Sequence, residues 1–572
     1  MMEKLWLAHY DDDVPASMDY PRIPLHRTLE DSARKYPDRT ALNLVLRHLG
    51  PMAIGARLSY REVMDQVNRI ASALAALGVR KGDRVALVLP NLPQFVIGFY
   101  GAMKLGAIVV NTNPTYTARE LEHQLGDAGA ETVVLFSPLY ARLREIQART
   151  QVKRVIVADV SDYVAGPSKI LVERNLRKHG QMVDVPEAEG VYRFRPLLDA
   201  HPAPPPEVVV DPDDTALFQY TGGTTGVPKA AMLSHYNLVV NTVQMRRWMS
   251  SLEEGKERFI CALPFFHVYG MTVEMSLAVY LGSQLIILPD PRDVVHLMTT
   301  IGRLAATVVP GVPTMYVRII NHPDVGRYDL RSVKVCVSGA APLPMEVQTR
   351  FGEISGGRLV EGYGLTEAAP VTHCNPIRGV RKSGSIGIPL PDVDAKVMDY
   401  ETLTEKPVGE DGELWLRGPQ VMKGYWNQPA ETRKTITEDG WLRTGDIARV
   451  DHEGFFFIVD RLKDIIISSG LNIVPREVEE VLYLHPKVLE AVVAGIPDPK
   501  RGETVKAYVV LKPGQTATAE EITAFCAERL APFKVPRRVE FRSELPKTQV
   551  GKVLRRVLVE EETHARPQGP GD

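Results

Sequence analysis

The chain has 572 residues and a formal net charge of −2, from 68 lysines and arginines against 70 aspartates and glutamates. Its 44% hydrophobic and 24% charged residues are ordinary globular composition, which excludes a disordered or fibrous protein. The absence of a basic excess argues against nucleic acid as a partner. This length predicts several domains rather than one.

The cysteine pattern and the N-terminus indicate a reducing compartment. The four cysteines lie far apart without a C-x-x-C pair: Cys261, Cys336, Cys374 and Cys526. Neither a disulfide framework nor a zinc site is therefore expected. Residues 1–8 form a short apolar run that stops before Asp11, which is not typical of a signal peptide. We expect a cytoplasmic protein.

The first 160 residues predict alternating helices and strands. Residues 60–77 form an amphipathic pattern opened by a Ser59/Glu62 capping box, and Thr117 and Glu120 make a second box. Strand-like runs lie at 84–89, 107–110, 132–136 and 154–158. Such alternation predicts βαβ units on a largely parallel sheet.

The middle of the chain contains an excursion and an apolar stretch. Residues 160–211 end in prolines and include a basic helix at 169–178, which is either a solvated surface helix or a contact with anionic lipid. Residues 259–289 carry only Glu274 as a formal charge, but proline, glycine and polar residues interrupt them. A buried helix followed by a buried strand is favoured over a membrane span.

The C-terminal part predicts a change of architecture. The α/β pattern continues to residue 364, residues 384–459 are strand-rich with glycine punctuation, and the last hundred or so form a small α+β unit. We predict an α/β protein with a β-rich subdomain, an N-terminal domain at 1–460 and a mobile C-terminal domain at 461–572. Residues 566–572 are expected to be a disordered tail.

Residues 219–229 (QYTGGTTGVPK) have the composition of a phosphate-binding loop. Glycines let backbone N–H groups approach an anion, threonines add hydroxyl donors, and a lysine ends the run. Val227 and Pro228 follow Gly226, so this is not a Walker A loop. A glycine-rich surface turn is the alternative.

The longer run 220–235 (YTGGTTGVPKAAMLSH) resembles the phosphate loop of the adenylate-forming superfamily of acyl-CoA synthetases, adenylation domains and luciferases. Further matches occur in the expected order: 263–267 (LPFFH), 338–343 (SGAAPL), 361–367 (EGYGLTE), 383–387 (SGSIG), 440–446 (GWLRTGD), 460–464 (DRLKD) and 546–552 (PKTQVGK). The resemblance covers nearly the whole chain.

Three segments further resemble bacterial medium- and long-chain fatty acyl-CoA synthetases: 111–121, 361–370 and 439–464. This resemblance implies two half-reactions, in which a fatty acid and ATP with Mg²⁺ give acyl-adenylate and pyrophosphate, and CoA then displaces AMP. Two loop positions depart from the common pattern, with Gly222 where serine is frequent and Ala230 where glycine is frequent. The first removes a hydroxyl donor, so phosphate contacts are expected to alter rather than vanish.

The resemblance also assigns roles to individual residues. The phosphates and magnesium are assigned to Thr221, Gly222, Gly223, Thr224, Thr225, Gly226, Lys229, Thr366 and Glu367, with Thr224 and Glu367 at the metal. The adenine and ribose are assigned to Gly339, Ala340, Ala341, Glu361, Gly362, Tyr363, Gly364, Asp446 and Arg461. Taken singly, Thr366 and Glu367 could be a helix cap, Asp446 a turn residue and Tyr363 a core aromatic.

Three further residues are expected to act in the reaction. Lys552 is assigned to the carboxylate and α-phosphate during adenylation, and a solvated basic face is its alternative. Lys463 matches the hinge between the two half-reactions. His267 is assigned to the acyl carboxylate and thiol entry, and a buried core histidine is its alternative. Residues 259–289 and 309–316 are expected to wall the acyl tunnel.

Other functions stay open at this point. An acyl-adenylate ligase could load a carrier protein or use an aryl or short-chain acid, and a retired homologue could only bind nucleotide or fatty acid. A peripheral contact with the inner face of the membrane and a homodimer are further expectations.

Overall fold

The computed structural model describes residues 4–50, 52–202, 204–221, 228–468, 471–498, 501–548 and 553–565, without the side chains of Lys463, Asn472 and 563–565. The chain folds into two compact units. The large unit comprises Leu7–Asp394 and Arg417–Gly440, and the small unit comprises Met1–Trp6, Ala395–Leu416 and Trp441–Asp572.

The large unit contains most of the regular structure among the described residues. Its strands are β1 (Thr40–Leu49), β2 (Met52–Ser59), β3 (Arg84–Val88), β4 (Ile108–Asn111), β5 (Thr132–Phe136), β6 (Arg154–Ala158), β7 (Val191–Arg193), β8 (Thr215–Thr221), β9 (Lys229–Ser234), β10 (Arg258–Cys261), β11 (Gln284–Ile287), β12 (Val335–Ser338), β13 (Arg358–Gly364), β14 (Val371–Cys374) and β15 (Ile388–Pro389). Its helices are α1 (His26–Lys35), α2 (Tyr60–Ala76), α3 (Pro93–Lys104), α4 (Ala118–Ala128), α5 (Tyr140–Ile146), α6 (Ser168–Lys178), α7 (Phe194–Ala200), α8 (His235–Trp248), α9 (Leu277–Tyr280), α10 (Val294–Leu304), α11 (Pro313–Ile320), α12 (Met345–Ser355) and α13 (Pro429–Thr435).

The predicted parallel sheet is present with seven strands in the order β7-β6-β5-β3-β4-β8-β9. All its pairs are parallel except the β8–β9 hairpin. Both predicted capping boxes are formed, at the starts of α2 and α4. The strands are buried apolar runs because helices cover a parallel sheet on both faces, which confirms the α/β prediction.

Two four-stranded sheets complete the large unit, in the orders β10-β11-β1-β2 and β12-β13-β14-β15. In the second sheet β12 and β13 run parallel, with Ser338 opposite Glu361. Because the two strands are parallel, their carboxyl ends share one edge of the sheet. The segment after β12 and the end of β13 at Gly364 therefore lie at that edge. Ligand sites of α/β sheets concentrate at such carboxyl ends.

The low-charge stretch at 259–289 is buried as predicted. It begins in β10, forms a π-helix at Gly270–Ser276 that continues into α9, and ends in β11. Ile260, Ile286, Val309 and Tyr316 share one hydrophobic core, so the two stretches expected around the acyl chain lie together. No helix among the described residues combines the length and apolarity that a membrane crossing requires.

The small unit contains β16 (Asp394–Met398), β17 (Gly412–Arg417), β18 (Leu442–Val450), β19 (Phe456–Arg461), β20 (Ile466–Ser468), β21 (Leu471–Ile473), β22 (Val488–Asp498), β23 (Gly502–Leu511), β24 (Arg538–Phe541), α14 (Pro475–Tyr483), α15 (Ala519–Ala527) and α16 (Arg555–Ala565). One sheet has the order β16-β17-β18-β19, and the other is β21-β20-β23-β22 with β24 on β23. Val478, Leu482, Val493, Val509 and Ile522 pack between its helices and strands. The α+β expectation is confirmed.

Little more than half of the β-rich segment belongs to the same compact unit as the C-terminal residues, although the sequence predicts a boundary near Asp460. That boundary stays a prediction. The tail at 566–572 lies outside the described residues.

Candidate active site

The described flanks of the predicted phosphate loop form the end of a hairpin. β8 ends at Thr221 and β9 begins at Lys229, and these two residues are antiparallel partners. The Thr221 hydroxyl donates a hydrogen bond of 3.4 Å to the Lys229 carbonyl. Residues 222–227 lie outside the described part, so the roles of Gly222, Gly223, Thr224, Thr225 and Gly226 stay predictions.

The Lys229 ammonium lies among residues from distant parts of the chain. Its Nζ is 2.5 Å from Oε2 of Glu431 on α13. The same ammonium lies 5.4 Å from the ring centre of Tyr425, within reach of a cation–π attraction. These contacts hold the lysine at the mouth of the loop that the sequence assigns to phosphates.

Glu367 joins this group through Tyr425. The Tyr425 hydroxyl donates to Oε1 of Glu367 at 2.8 Å, and the Met422 N–H donates to the Glu367 carbonyl at 2.8 Å. Burial and the neighbouring carboxylate raise the pKa of Tyr425, which keeps it a neutral donor. We call Lys229, Glu367, Tyr425 and Glu431 the phosphate-side cluster.

The phosphate-side cluster is built on β9. The Lys423 N–H donates to the Met232 carbonyl at 3.0 Å, and the Trp426 N–H donates to the Ala230 carbonyl at 2.9 Å. The segment bearing Tyr425 is thereby hydrogen-bonded to the strand that begins at Lys229. Sequence reasoning missed Tyr425 and Glu431; the only local signal was an aromatic pair after Gly424.

Glu367 is a half-buried carboxylate with one oxygen on the Tyr425 hydroxyl. Carboxylate oxygen is the ligand type that Mg²⁺ prefers. Within the described ranges, no three His, Cys, Asp or Glu side chains cluster closely enough to hold a metal ion. The Glu367 carboxylate is of the ligand type that would suit Mg²⁺.

The residues assigned to adenine lie at the carboxyl ends of β12 and β13. Ala340 has φ of +67°, a left-handed conformation that costs a residue with a Cβ roughly 1–3 kcal/mol and concentrates at ligand sites. The Glu361 carboxylate accepts from the Leu343 N–H at 3.0 Å, which fixes the loop containing Gly339, Ala340 and Ala341.

On β13, Gly362 lies against Val337, where an added Cβ would approach within 3.0 Å. Tyr363 is half-buried and meets His373 edge-on at 6.0 Å between ring centres, so it is not enclosed as a core aromatic. Gly364 ends the strand, and Thr366 and Glu367 form the 3₁₀ turn that follows.

His267 is half-buried rather than enclosed in the core. Its Nδ1 accepts from the Tyr269 N–H at 3.2 Å. The preceding loop is fixed by Glu274 of the π-helix, whose carboxylate accepts from the N–H groups of Ala262 and Leu263 at 3.0–3.2 Å. Burial raises the pKa of Glu274 well above its ordinary value.

The two residues assigned to the ribose lie together in the small unit. Asp446 on β18 and Arg461 at the end of β19 are antiparallel partners, with Nε of Arg461 2.8 Å from Oδ1 of Asp446. Asp446 is 3% exposed and lies within a strand, not in a turn. The pair presents a buried carboxylate acceptor beside a partly exposed guanidinium donor, which suits a vicinal diol.

The predicted hinge lies next to a charge network. Lys463 is in the 3₁₀ turn Leu462–Asp464. Arg555 of α16 binds the residues on both sides of it, Asp460 at 3.2 Å and Asp464 at 3.0 Å, and also Glu479 of α14 at 2.8 Å. Sequence reasoning did not find this network, and Lys552 lies outside the described residues.

Comparison with known proteins identifies the family. The model of the AMP-binding enzymes matches residues 29–426, and that of the AMP-binding enzyme C-terminal domain matches residues 477–552. The chain therefore belongs to the AMP-binding enzyme family, which confirms the adenylate-forming resemblance.

Its relatives narrow the class. A long-chain-fatty-acid–CoA ligase of Bacillus subtilis (strain 168) is 45% identical over 98% of both chains, and one of Yersinia pestis is 39% identical over 98% of both. Among solved structures, the anthranilate CoA ligase AuaEII in complex with anthranoyl-AMP has a TM-score of 0.82 at 27% identity, covering 97% of this chain and 99% of that one. The fold is thus shared with a ligase of another acid, whereas these two relatives of higher identity are named for long-chain fatty acids.

Proposed function

We propose that this protein is a fatty-acid–CoA ligase that activates a medium- or long-chain fatty acid with ATP and transfers the acyl group to CoA. The observation that carries this proposal is the 45% identity to a long-chain-fatty-acid–CoA ligase along 98% of both chains. The described phosphate-side cluster and the Asp446–Arg461 pair supply the residue types that ATP requires.

The reaction proceeds in two displacements. A carboxylate oxygen of the fatty acid forms a bond to the α-phosphorus of ATP, and the bond from that phosphorus to the bridging oxygen breaks, releasing pyrophosphate. The CoA sulfur then bonds to the acyl carbon, the thiol loses its proton, and AMP leaves. Both steps bring anions together, so binding and positioning by cations and donors are the main task of the protein.

The residues divide this task. Lys229 and the Thr221 hydroxyl face the β- and γ-phosphates together with the loop at 222–227, and Thr366 faces the α-phosphate. Gly339, Ala340, Ala341 and Tyr363 hold adenine, and Asp446 accepts from the ribose hydroxyls beside Arg461. Glu367, with Thr224, would hold Mg²⁺, which would neutralise phosphate charge. Lys552 and His267 act at the carboxylate.

Chain length should govern specificity. Each methylene buried in an apolar tunnel contributes up to about 0.8 kcal/mol, so kcat/KM should rise from acetate towards dodecanoate until the tunnel ends. Pyrophosphate release, measured with a series of straight-chain acids plus benzoate in the presence of CoA, tests this. A flat or falling series, or benzoate as the best acid, would favour the aryl or short-chain alternative.

The same assay separates the acceptor alternatives. A CoA ligase forms acyl-CoA with free CoA, whereas an enzyme that loads a carrier protein releases pyrophosphate without forming a CoA thioester. A retired homologue would bind ATP or fatty acid and release no pyrophosphate.

Glu367→Gln and Asp446→Ala should impair different ligands. The glutamine keeps an oxygen for the Tyr425 hydroxyl but loses the negative charge, so half-maximal activity should need several-fold more Mg²⁺. Asp446→Ala leaves the ribose hydroxyls without their carboxylate acceptor, so ATP should bind roughly tenfold or more weakly. Mg²⁺ titrations and ATP affinities of both variants are the measurement. An unchanged Mg²⁺ requirement in Glu367→Gln would count against its metal role.

We also propose that α6 makes a peripheral contact with anionic lipid. Ile170 and Leu171 are 73% and 69% exposed, and Arg174 and Lys178 are exposed on the following turns of the same helix. An apolar pair flanked by cations suits the membrane interface. Ile170→Ser/Leu171→Ser should reduce co-sedimentation with anionic vesicles, while activity on soluble acids stays unchanged. Equal sedimentation of variant and parent would leave α6 as a solvated surface helix.

A cytoplasmic location and a homodimer are further proposals from the resemblance. The four free, buried cysteines suit a reducing compartment, and the homodimer rests on the resemblance alone. Sedimentation equilibrium of the full chain measures directly whether it forms a homodimer.

A further inference from the structure

The ammonium of Lys229 already has an anionic partner. Oε2 of Glu431 lies 2.5 Å from its Nζ, and Oε1 of the same carboxylate lies 2.7 Å from Nζ of Lys434. About a third of both the Lys229 and the Glu431 side chain is exposed, so the pair is open to an incoming ligand. One carboxylate thus lies between two cations at the start of β9.

We propose that Glu431 sets the affinity for ATP by competing with the nucleotide's terminal phosphates for the Lys229 ammonium. This inference rests on the proposed function through one assignment, that Lys229 binds the β- and γ-phosphates. It adds a residue that the resemblance does not assign.

The competition follows from charge. A polyphosphate that takes Lys229 from Glu431 also brings its own negative charge close to that carboxylate, and like charges at short range repel. Lys434 binds the second oxygen of Glu431. The Glu431 carboxylate therefore still has a cationic partner when Lys229 turns to the phosphates. Lys229 and Lys434 also lower the pKa of Glu431 to about 2, so this carboxylate stays charged throughout the neutral range.

The position of Glu431 is fixed by the fold and is not that of a free surface side chain. The next residue, Thr432, accepts a hydrogen bond from the Tyr425 N–H at 2.9 Å through its hydroxyl. The segment around Tyr425 is in turn hydrogen-bonded to β9 through Ala230 and Met232. The carboxylate and the ammonium are therefore carried by one hydrogen-bonded substructure.

The test is equilibrium binding of MgATP and of AMP to the full-length protein without fatty acid. Exposed ion pairs are typically worth a factor of about two to five in an equilibrium, so Glu431→Gln should bind ATP about that much more tightly. AMP lacks the β- and γ-phosphates, so its affinity should not change. The gain in ATP affinity should shrink at high salt.

Two further variants make the result specific. Glu253→Gln removes a similar exposed carboxylate, 2.5 Å from Lys256, and should leave ATP affinity unchanged. In Lys229→Ala the additional Glu431→Gln change should give no gain, because the competed cation is gone. Glu431→Ala should reproduce Glu431→Gln, and thermal unfolding checks that both are folded.

Unchanged or weaker ATP binding by both Glu431 variants would overturn the inference, as would an equal gain for AMP or a gain that persists without Lys229. These outcomes do not affect the proposed function, which depends on acyl-CoA formation by the parent protein. Conversely, the parent protein could make no acyl-CoA while Glu431→Gln still binds ATP, but not AMP, more tightly. That result would support the role of Glu431 in ATP affinity and would refute the proposed ligase activity.

Discussion

Replacing Lys552 with alanine is expected to slow acyl-adenylate formation by about 10²–10³-fold, because groups that neutralise charge developing in a transition state typically have effects of this size. A carboxylate and an α-phosphate meet in this step, and the resemblance places the Lys552 ammonium between them. Thioester formation from presynthesised acyl-adenylate and CoA should survive. Single-turnover assays of each half-reaction on its own measure the two effects separately.

Lys547→Ala is the matched control. This lysine belongs to the same C-terminal segment and pairs with Glu490 at 2.6 Å, so its loss removes an equal charge at a site with another partner. It should change adenylation little. If Lys552→Ala slows thioester formation as severely as adenylation, alternation of the C-terminal domain between the half-reactions is the wrong mechanism for this protein.

Lys463→Pro should show the opposite behaviour. Proline fixes φ near −65°, which obstructs a backbone rotation at the hinge but leaves the adenylation arrangement accessible. Pyrophosphate release should therefore continue while acyl transfer to CoA slows. A variant that loses both half-reactions equally would place the hinge elsewhere.

Arg555→Met is expected to lower the free energy of unfolding of the small unit by up to about 3–5 kcal/mol, the loss found when one partner of a fully buried ion pair is removed. Its guanidinium is the shared partner of Asp460, Asp464 and Glu479, and Asp460 is only 5% exposed. Methionine retains much of the apolar volume of the arginine side chain. The loss of stability would therefore come from the carboxylates that no longer have a cationic partner. Urea unfolding followed by a probe in the small unit measures it.

The adjacent Arg556→Met provides the control. Arg556 pairs with Glu560 on the exposed side of α16, so its replacement should change the free energy of unfolding by no more than about 0.5 kcal/mol.

The pH dependence of stability gives a second check. Burial already raises the pKa of Glu479, and loss of Arg555 would raise it further. A carboxyl with a raised pKa in the folded state takes up its proton as the pH falls, and it then no longer destabilises the fold as an unpaired charge. The difference in unfolding free energy between Arg555→Met and the parent protein should therefore become smaller in acid. Equal losses of unfolding free energy in Arg555→Met and Arg556→Met would contradict a stabilising role of the Arg555 network.

Local sequence signals suffice for several of the regular elements of this protein. The helix at Tyr60–Ala76 and the strand at Thr132–Phe136 match their predicted bounds to within about a residue, because capping boxes and apolar periodicity are local signals. The buried character of 259–289 also follows from composition. The candidate site comes from motif resemblance, which assigns roles to Thr224 and Lys552, but these lie outside the described residues and stay predictions.

Which side chains meet depends on the tertiary structure alone. Lys229 and Glu431 are 202 residues apart, and Arg555 reaches Asp460 across 95 residues. The partner of a charged side chain depends on how distant strands and helices pack, and periodicity contains no information about that. For the same reason the glycine-rich strands β16–β19 can be predicted as strands, whereas their grouping with the C-terminal residues cannot.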